Sequence, residues 1–369
     1  MQIERLTLTA FRNYTHLIWR PDAGVTVFTG ANGAGKTNLM EAVSLLAPGR
    51  GLRGAPGAML AQNGASLWGV AARIRRGDDL HEIGTGADPA GGLRRIFRLN
   101  GQGIRSQAEI ARLVACVWAT PQMDRLFTEG ASGRRRFLDR LAIALSPGHA
   151  RETAAHDRAL AQRNKLLADR YQEDAWLRAS EDSIARHAVA VTAARMALVE
   201  DMNACEPAHA DFPRTTLALD CAIAAMLADM PALAVEEHLR ARLAQDRESD
   251  AARGSSGIGA HRTDFVLRDH ETGRPAALSS SGQQKAMLLG TVLAHARLVE
   301  RLMGTAPILL LDEPLVHLDE RRREALLATL SAATSTILLS GTDGAPFDSL
   351  IGKAAFVEIA DAQLRERPR

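Results

Sequence analysis

The chain has 369 residues, 46% of them hydrophobic and 24% charged, the makeup of a folded protein of about two to three domains. No apolar run approaches the roughly 18–20 residues of a membrane span, and Glu4, Arg5, Arg12 and Asn13 interrupt the early sequence. Neither a spanning helix nor a secretory signal is therefore expected, and a cytoplasmic location is. Cys116, Cys205 and Cys221 are odd in number and lack a CxxC spacing, which excludes a disulfide scaffold and a zinc cluster. The 45 basic and 43 acidic residues nearly cancel. Lysine nevertheless stands only at Lys36, Lys165, Lys285 and Lys353, and Lys36 and Lys285 adjoin glycine-rich turns.

In chain order, Ile3, Leu6 and Leu8 alternate with polar residues as a strand does, and Val25 to Thr29 is a β-rich run ending at Gly30. A glycine loop comes next, then Leu39, Met40, Val43, Leu45 and Leu46 in a helical pattern. Short strands are predicted at 68–74, 81–84 and 93–99, with Asn100-Gly101 as a type I′ hairpin turn and a further apolar run at 114–118. Between Phe137 and about Met202 the chain is rich in Ala, Leu, Arg and Glu and poor in β signal. Pro207, Pro213 and Pro231 interrupt the chain beyond that stretch, and Gly254-Ser255-Ser256-Gly257 reads as a linker. Then come a strand (264–267), a glycine turn, a helix (282–301), a buried strand (308–311), a helix from Glu320 and a final strand (336–340). This pattern predicts an α/β fold, one domain made of residues 1–122 and 256–369 with an α-helical domain inserted at 123–255.

Two segments carry phosphate chemistry. Gly30-Ala31-Asn32-Gly33-Ala34-Gly35-Lys36-Thr37 satisfies G-x-x-x-x-G-K-[ST] between a strand and a helix, the signature of a P-loop NTPase. Backbone N–H groups must face the triphosphate of ATP there, so side chains at Gly30, Gly33 and Gly35 would obstruct it. Lys36 is expected on the β- and γ-phosphates and Thr37 on Mg²⁺, with the helix N-terminus adding its positive end. The apolar strand Ile308 to Leu311 ends in Asp312, placed to hold Mg²⁺, and Glu313, placed to polarise the attacking water.

A third segment, Ser279-Ser280-Ser281-Gly282-Gln283-Gln284-Lys285, would by itself be a helix N-cap. Beside the other two it resembles the signature loop of ABC-type ATPases, with Ser280, Gly282 and Gln283 on the diagnostic positions. Leu318-Asp319 is similar to the D-loop of that superfamily.

The ordered set is more specific. Phe11-Arg12-Asn13-Tyr14, Lys36-Thr37-Asn38 through Ala42, Gly49-Arg50 with Arg53, Gly133 through Asp139, Gln162-Arg163-Asn164, Gly259 through Asp264, Gly282 through Lys285 and Leu311-Asp312-Glu313 run the length of the chain. Together they resemble the RecF family of bacterial recombination mediators, within the SMC/Rad50-like ABC ATPases. The resemblance implies a Rad50-like ABC ATPase head with a short helical arm, and a homodimer that closes on ATP and Mg²⁺ at two composite sites. It also implies binding of single-stranded or gapped DNA, and work with RecR and RecO to load RecA in recombinational repair, replication restart and SOS induction.

By the same resemblance Ser280 contacts the ATP of the opposite subunit, Arg12 and Asn38 join the ATP site, Gln122 is a Q-loop residue near Mg²⁺, and Asp319 belongs to the D-loop. This chain departs from the family at Glu313, where an Asp is usual, and at Ala260 and Thr263, where Pro and Asp are usual. The stretch Leu339 to Asp343 holds no counterpart of the transporter switch histidine, which implies slow hydrolysis with ATP acting mainly as a clamp. His261 and Arg262 either reach the nucleotide region or cap a strand. Arginine clusters at Arg73/Arg75/Arg76, Arg94/Arg95/Arg98, Arg134/Arg135/Arg136 and Arg321/Arg322/Arg323 are candidates for DNA phosphates. The alternatives are solvated faces, with Arg134 to Arg136 stabilising the arm and Arg321 to Arg323 belonging to the helix after the D-loop. With 4% aromatic residues, binding through the backbone rather than base stacking is expected. The alternative is an ABC-type ATPase that drives another partner, such as a membrane complex, without DNA.

Overall fold

The computed structural model describes residues 1–90, 95–104, 106–169, 174–207 and 209–366. They form two compact units, one made of 1–125, 205–215 and 269–369, the other of 126–204 and 216–268. Leu93 and Arg94, at the start of an expected strand, lie outside the described residues.

The first unit contains two sheets. One is antiparallel, built from β1 (Gln2–Phe11), β2 (Tyr14–Trp19), β4 (Gly69–Arg76), β5 (Asp79–Ala87), β6 (Arg95–Leu99) and β7 (Gln102–Gly103) in the order β2-β1-β4-β5-β6-β7. Val70, Ala72 and Ile74 of β4 are buried while Ala71, Arg73 and Arg75 are exposed, the alternation of a sheet with one covered face. Asn100 (φ 49°) and Gly101 (φ 80°) make the β6–β7 turn with the left-handed backbone that an Asn-Gly pair accepts.

The other sheet has the order β14-β13-β3-β12-β11-β8, from β3 (Val25–Thr29), β8 (Cys116–Ala119), β11 (Ile308–Leu311), β12 (Ile337–Ser340), β13 (Ala355–Ala360) and β14 (Gln363–Glu366). All but β14 run parallel. Every residue of β8, β11 and β12 is buried, as expected of parallel strands covered on both faces. The helices of this unit are α1 (Lys36–Ser44), α2 (Gln107–Ala111), α9 (Ser281–Met303) and α10 (Glu320–Ser331).

The structure corrects one expectation in this unit. The strand ending at Ser340 is not the last, because β13 and β14 come after it. Their turn uses Asp361 (φ 49°) and Ala362 (φ 58°) without glycine, so no glycine punctuates it in the sequence.

The second unit is mostly helical: α3 (Ala131–Leu145), α4 (His149–Ala168), α5 (Asp174–Asn203), α6 (Ala222–Asp229), α7 (Ala232–Gln245) and α8 (Arg247–Arg253). Ala185, Ala188, Val189 and Val191 of α5 form a core with Ile223, Val235, Leu239 and Ala260. A two-stranded sheet of β9 (Thr215–Asp220) and β10 (Asp264–Asp269) completes it. A second correction falls here, because the expected linker at 254–257 is a turn pinned through its buried Ser256. Gly254 ends α8 in the left-handed conformation at φ 68°, Ser256 is fully buried, and the Gly257 N–H donates to Asp250 at 2.9 Å.

Candidate functional site

The parallel sheet places the site. Its register aligns Leu311 with both Leu339 and Ala119, and Ser340 with Phe28. The carboxyl ends of β3, β12, β11 and β8 therefore share one edge, where open α/β sheets hold their ligands. From that edge β3 leads into Gly30, β11 into Asp312 and Glu313, and β8 toward Gln122.

Gly30, Gly33 and Gly35 take φ of 141°, 84° and 119°, left-handed values that suit glycine. For Gly30 and Gly35 the protein itself supplies a second steric reason. A Cβ on Gly30 would stand 2.2 Å from the Ile359 carbonyl oxygen, and one on Gly35 would stand 2.7 Å from Asn13 Nδ2 and Tyr14 Oη. Gly33 meets nothing within 4 Å, and Ala31, Asn32 and Gly33 are exposed at the tip of the loop. Ala34 N–H donates to the Ala31 carbonyl at 3.2 Å and closes the turn.

Lys36 is 5% exposed, and its Nζ donates to the carbonyls of Gly30 at 2.6 Å and Ala31 at 3.0 Å. Burial pulls the ammonium below lysine's ordinary pKa, while the carboxylates of Glu313 and Asp312 push it back up. Thr37 Oγ1 donates to Asp312 Oδ2 at 2.9 Å. The other Asp312 oxygen accepts from Ser340 Oγ, which in turn accepts the Glu313 N–H at 3.0 Å. Glu313 itself holds φ 49°, a left-handed value that is strained for a non-glycine residue and turns the chain at the strand end.

Sequence reasoning missed the brace behind this loop. Asn13 Nδ2 donates to the Ala34 carbonyl at 3.2 Å, Tyr14 Oη to the Gly35 carbonyl at 3.1 Å, and Asn38 Nδ2 to Asn13 Oδ1 at 2.8 Å. Arg12 does not point freely toward a phosphate. Its guanidinium grips buried Glu41 at 2.9 and 3.0 Å and donates to the Met59 carbonyl at 2.7 Å, while Arg53 joins Glu41 to Asn38. The available signals were the Phe11 to Tyr14 segment and Arg53. Ser340 was legible only as a hydroxyl at a strand end.

Gln122 is exposed in a short 3₁₀ turn (Pro121–Arg125) just beyond β8. Ser280 caps α9, its hydroxyl accepting the Gln283 N–H at 3.3 Å. A Cβ on Gly282 would lie 3.1 Å from the His317 carbonyl, and Gln283 Oε1 accepts from Arg322 at 3.0 Å. Asp319 caps α10 by accepting the Arg322 N–H at 2.9 Å. The start of α9 thus packs against the segment from His317 to Arg322 within the first unit.

The candidate DNA arginines are largely committed within the protein. Arg73 and Arg75 pair with Glu4, and Arg76 donates to the carbonyls of Arg112 and Met303. Arg134 forks onto both oxygens of Asp264 at 2.8 Å, and that hydrogen bonding lowers the Asp264 pKa. Arg135 donates to the Thr263 carbonyl at 3.0 Å, while Arg136 is exposed. Arg95 lies over the Phe97 ring at 4.5 Å, and Arg94 is outside the described residues. His261 and Arg262 both reach the Ser256 carbonyl rather than capping a strand.

The family model of the RecF/RecN/SMC N terminal domain matches residues 2–340. A DNA replication and repair protein RecF from Mesorhizobium japonicum is 44% identical over 363 residues, covering 97% of this chain and 96% of that relative. The one from Brucella suis is 41% identical over 371 residues, covering 99% and 96%. The chain belongs to the RecF family.

Its fold agrees with that assignment. A structure of the recombination mediator protein RecF-ATPrS in the RecFOR pathway superposes with a TM-score of 0.86 at 22% identity, covering 99% of this chain and 97% of the other. The Smc head domain of Pyrococcus furiosus, with its extended coiled coil, gives 0.51 at 17% identity, covering 99% and 96%. The RecF-family chain therefore carries the ABC ATPase head fold. Among its described residues no helix is long and apolar enough to cross a membrane.

Proposed function

We propose that this RecF-family chain is a cytoplasmic DNA-repair ATPase that dimerises on ATP, binds single-stranded or gapped DNA, and acts with RecR and RecO to load RecA in recombinational repair, replication restart and SOS induction. The observation that carries the reading is the Thr37–Asp312 hydrogen bond of 2.9 Å, which joins the phosphate loop to the acidic strand end. The second unit is read as the inserted arm.

In this reading Gly30 to Asn38 bind ATP. Lys36 exchanges its two loop carbonyls for the β- and γ-phosphate oxygens. Thr37 and Asp312 offer the hard oxygens that Mg²⁺ prefers, with Gln122 as a further donor from the end of β8. No group of three or more His, Cys, Asp or Glu that could hold a metal occurs among the described residues, which suits an ion completed by phosphate and water. When bound, Mg²⁺ neutralises charge on the β- and γ-phosphates. Glu313 accepts the proton of the attacking water as its oxygen bonds to the γ-phosphorus and the bond to the bridging oxygen breaks, the electron pair leaving with ADP. Ser280, Gly282 and Gln283 present a hydroxyl and a helix N-terminus to the γ-phosphate held by the second copy. Asp319 holds the D-loop.

Ser340 occupies the strand end where an imidazole would otherwise assist, which supports slow turnover. The DNA contact is electrostatic. Arg73, Arg75 and Arg136 are the exposed members of the clusters at 73–76 and 134–136, and of these Arg73 and Arg75 pair with Glu4. The test is binding of fluorescent gapped DNA across a salt series, with and without ATP and Mg²⁺. Affinity that requires ATP, and whose logarithm falls linearly with the logarithm of salt concentration, is expected. A flat salt slope rejects the backbone contact, and ATP turnover without any DNA binding favours an ATPase that drives a different partner.

A further inference from the structure

Lys285 is the second lysine beside a glycine-rich turn, and it takes no part in the phosphate site. It sits a little over one helical turn into α9 from the Ser280 cap and is 2% exposed. Its ammonium donates to Asp124 Oδ1 at 2.7 Å. Asp124 belongs to the Pro121–Arg125 turn that also carries Gln122. That turn is itself anchored to the acidic strand end, because β8 pairs with β11 and the Asp312 N–H donates to the Ala119 carbonyl at 2.9 Å. One ion pair inside the first unit thus connects the start of the signature helix to the segment beside Asp312.

Two other ties on the signature turn are weaker in kind. Gln283 meets Arg322 in a single hydrogen bond, and Gly282 only approaches the His317 carbonyl. The Lys285–Asp124 bond joins two opposite charges with the lysine end out of water, so removing one partner strands the other at a cost well above that of an exposed pair. Such a contact fixes two backbone segments relative to each other rather than adding general stability. The phosphate loop, by contrast, is held by Asn13 and Tyr14, with Asn38 bracing Asn13, and has no bond to this pair among those described.

We propose that the Asp124–Lys285 ion pair is a positioning device that sets the signature turn relative to the Mg²⁺-side end of β8, and so governs ATP-dependent self-association and turnover while leaving the ATP affinity of the single chain unchanged. This rests on the ATPase reading of the same site. Asp124 and Lys285 touch neither substrate nor metal in it. They act through Ser280 and Gln122.

The experiment compares full-length wild type, Asp124→Asn, Lys285→Met, the double variant and Lys285→Arg, with Lys36→Ala as a binding-deficient control. Fluorescent ATP binding, steady-state ATP turnover and ATP-dependent self-association are measured on each, with thermal melting to confirm folding. Asp124→Asn and Lys285→Met are expected to bind ATP within twofold of wild type, to turn over about tenfold more slowly and to need about tenfold more protein to associate. The double variant should be no worse than either single one, and Lys285→Arg should recover most of the activity. Unchanged turnover and association in folded single variants overturns the proposal, as does a parallel loss of ATP affinity and melting temperature. If wild type itself neither binds nor hydrolyses ATP, it is the ATPase reading that fails.

Discussion

The sheet edge of the first unit and the buried interior of the second hold comparable sets of charged groups and use them in opposite ways. At the sheet edge Lys36 rests on the carbonyls of its own loop, and Gly33 faces open space. Those contacts can be exchanged for an incoming anion. In the second unit Arg163 is fully buried, and its bonds end on Glu181, Asp250, Ser256 and the Leu243 carbonyl at 2.6–3.1 Å. Arg195 is tied in the same way to Asp139 and the Ala260 carbonyl. Both units carry motifs of the RecF resemblance. In one the lysine of the glycine loop keeps exchangeable carbonyl contacts, and in the other the motif arginine is consumed as framework.

The largest effect that would break this contrast concerns Arg163. Replacing it by Met removes the one side chain that joins buried Glu181 to buried Asp250, which keep Arg247 and Arg253 respectively, and leaves Ser256 and the Leu243 carbonyl without their donor. A loss of about 3 kcal/mol in chemical denaturation is expected, with ATP binding intact if the protein is assayed well below its melting point. Reduced ATP affinity without lost stability would place Arg163 in function rather than framework.

A pH series gives the next effect. His261 is pushed down to about 4, mainly by burial, with His156, Arg262 and Arg135 adding repulsion against the hydrogen bond to the Ser256 carbonyl. Its ordinary value is 6.5, so between about 6.5 and about 4 the unfolded chain binds the proton that the folded one refuses. This contribution is complete above pH 6.5 and is lost as the pH falls toward 4. The melting temperature of His261→Gln should fall less steeply across that window than that of wild type, and identical slopes would remove His261 as the cause.

Tyr14→Phe should produce the smallest change. It deletes the hydroxyl that supports the Gly35 carbonyl and should weaken ATP binding several-fold, corresponding to about 1 kcal/mol, without altering the melting temperature appreciably. Unchanged affinity would mean that the loop holds its shape through Asn13 and Asn38 alone.

These contrasts also mark how far the sequence could be read. The strand–loop–helix from Val25 to Ser44, the strand Ile308 to Leu311 and the helix after Ser280 were legible because pattern, glycine spacing and polar ends all agree locally. The role of Ser340, the Glu41 ion pairs and the carbonyl of Ile359 pressed against Gly30 were not, because each depends on residues brought together from far along the chain. The turn at 254–257 misled for the same reason. Its Gly and Ser composition reads as a linker, yet Ser256 accepts from Arg163 and donates to Asn164, more than ninety residues earlier in the chain. Nor does composition reveal that Glu4 pairs with Arg73 and Arg75 and that Asp264 pairs with Arg134.

The central claim is that ATP closes two copies of this chain around DNA. Its most direct test is the mass in solution by light scattering, with and without ATP and gapped DNA, for wild type, Glu313→Gln and Ser280→Arg. The account predicts that ATP doubles the mass of wild type, that Glu313→Gln prolongs the dimer, that Ser280→Arg abolishes it, and that DNA joins only the dimer. A protein that stays monomeric with ATP, or one that dimerises and ignores DNA, would contradict it.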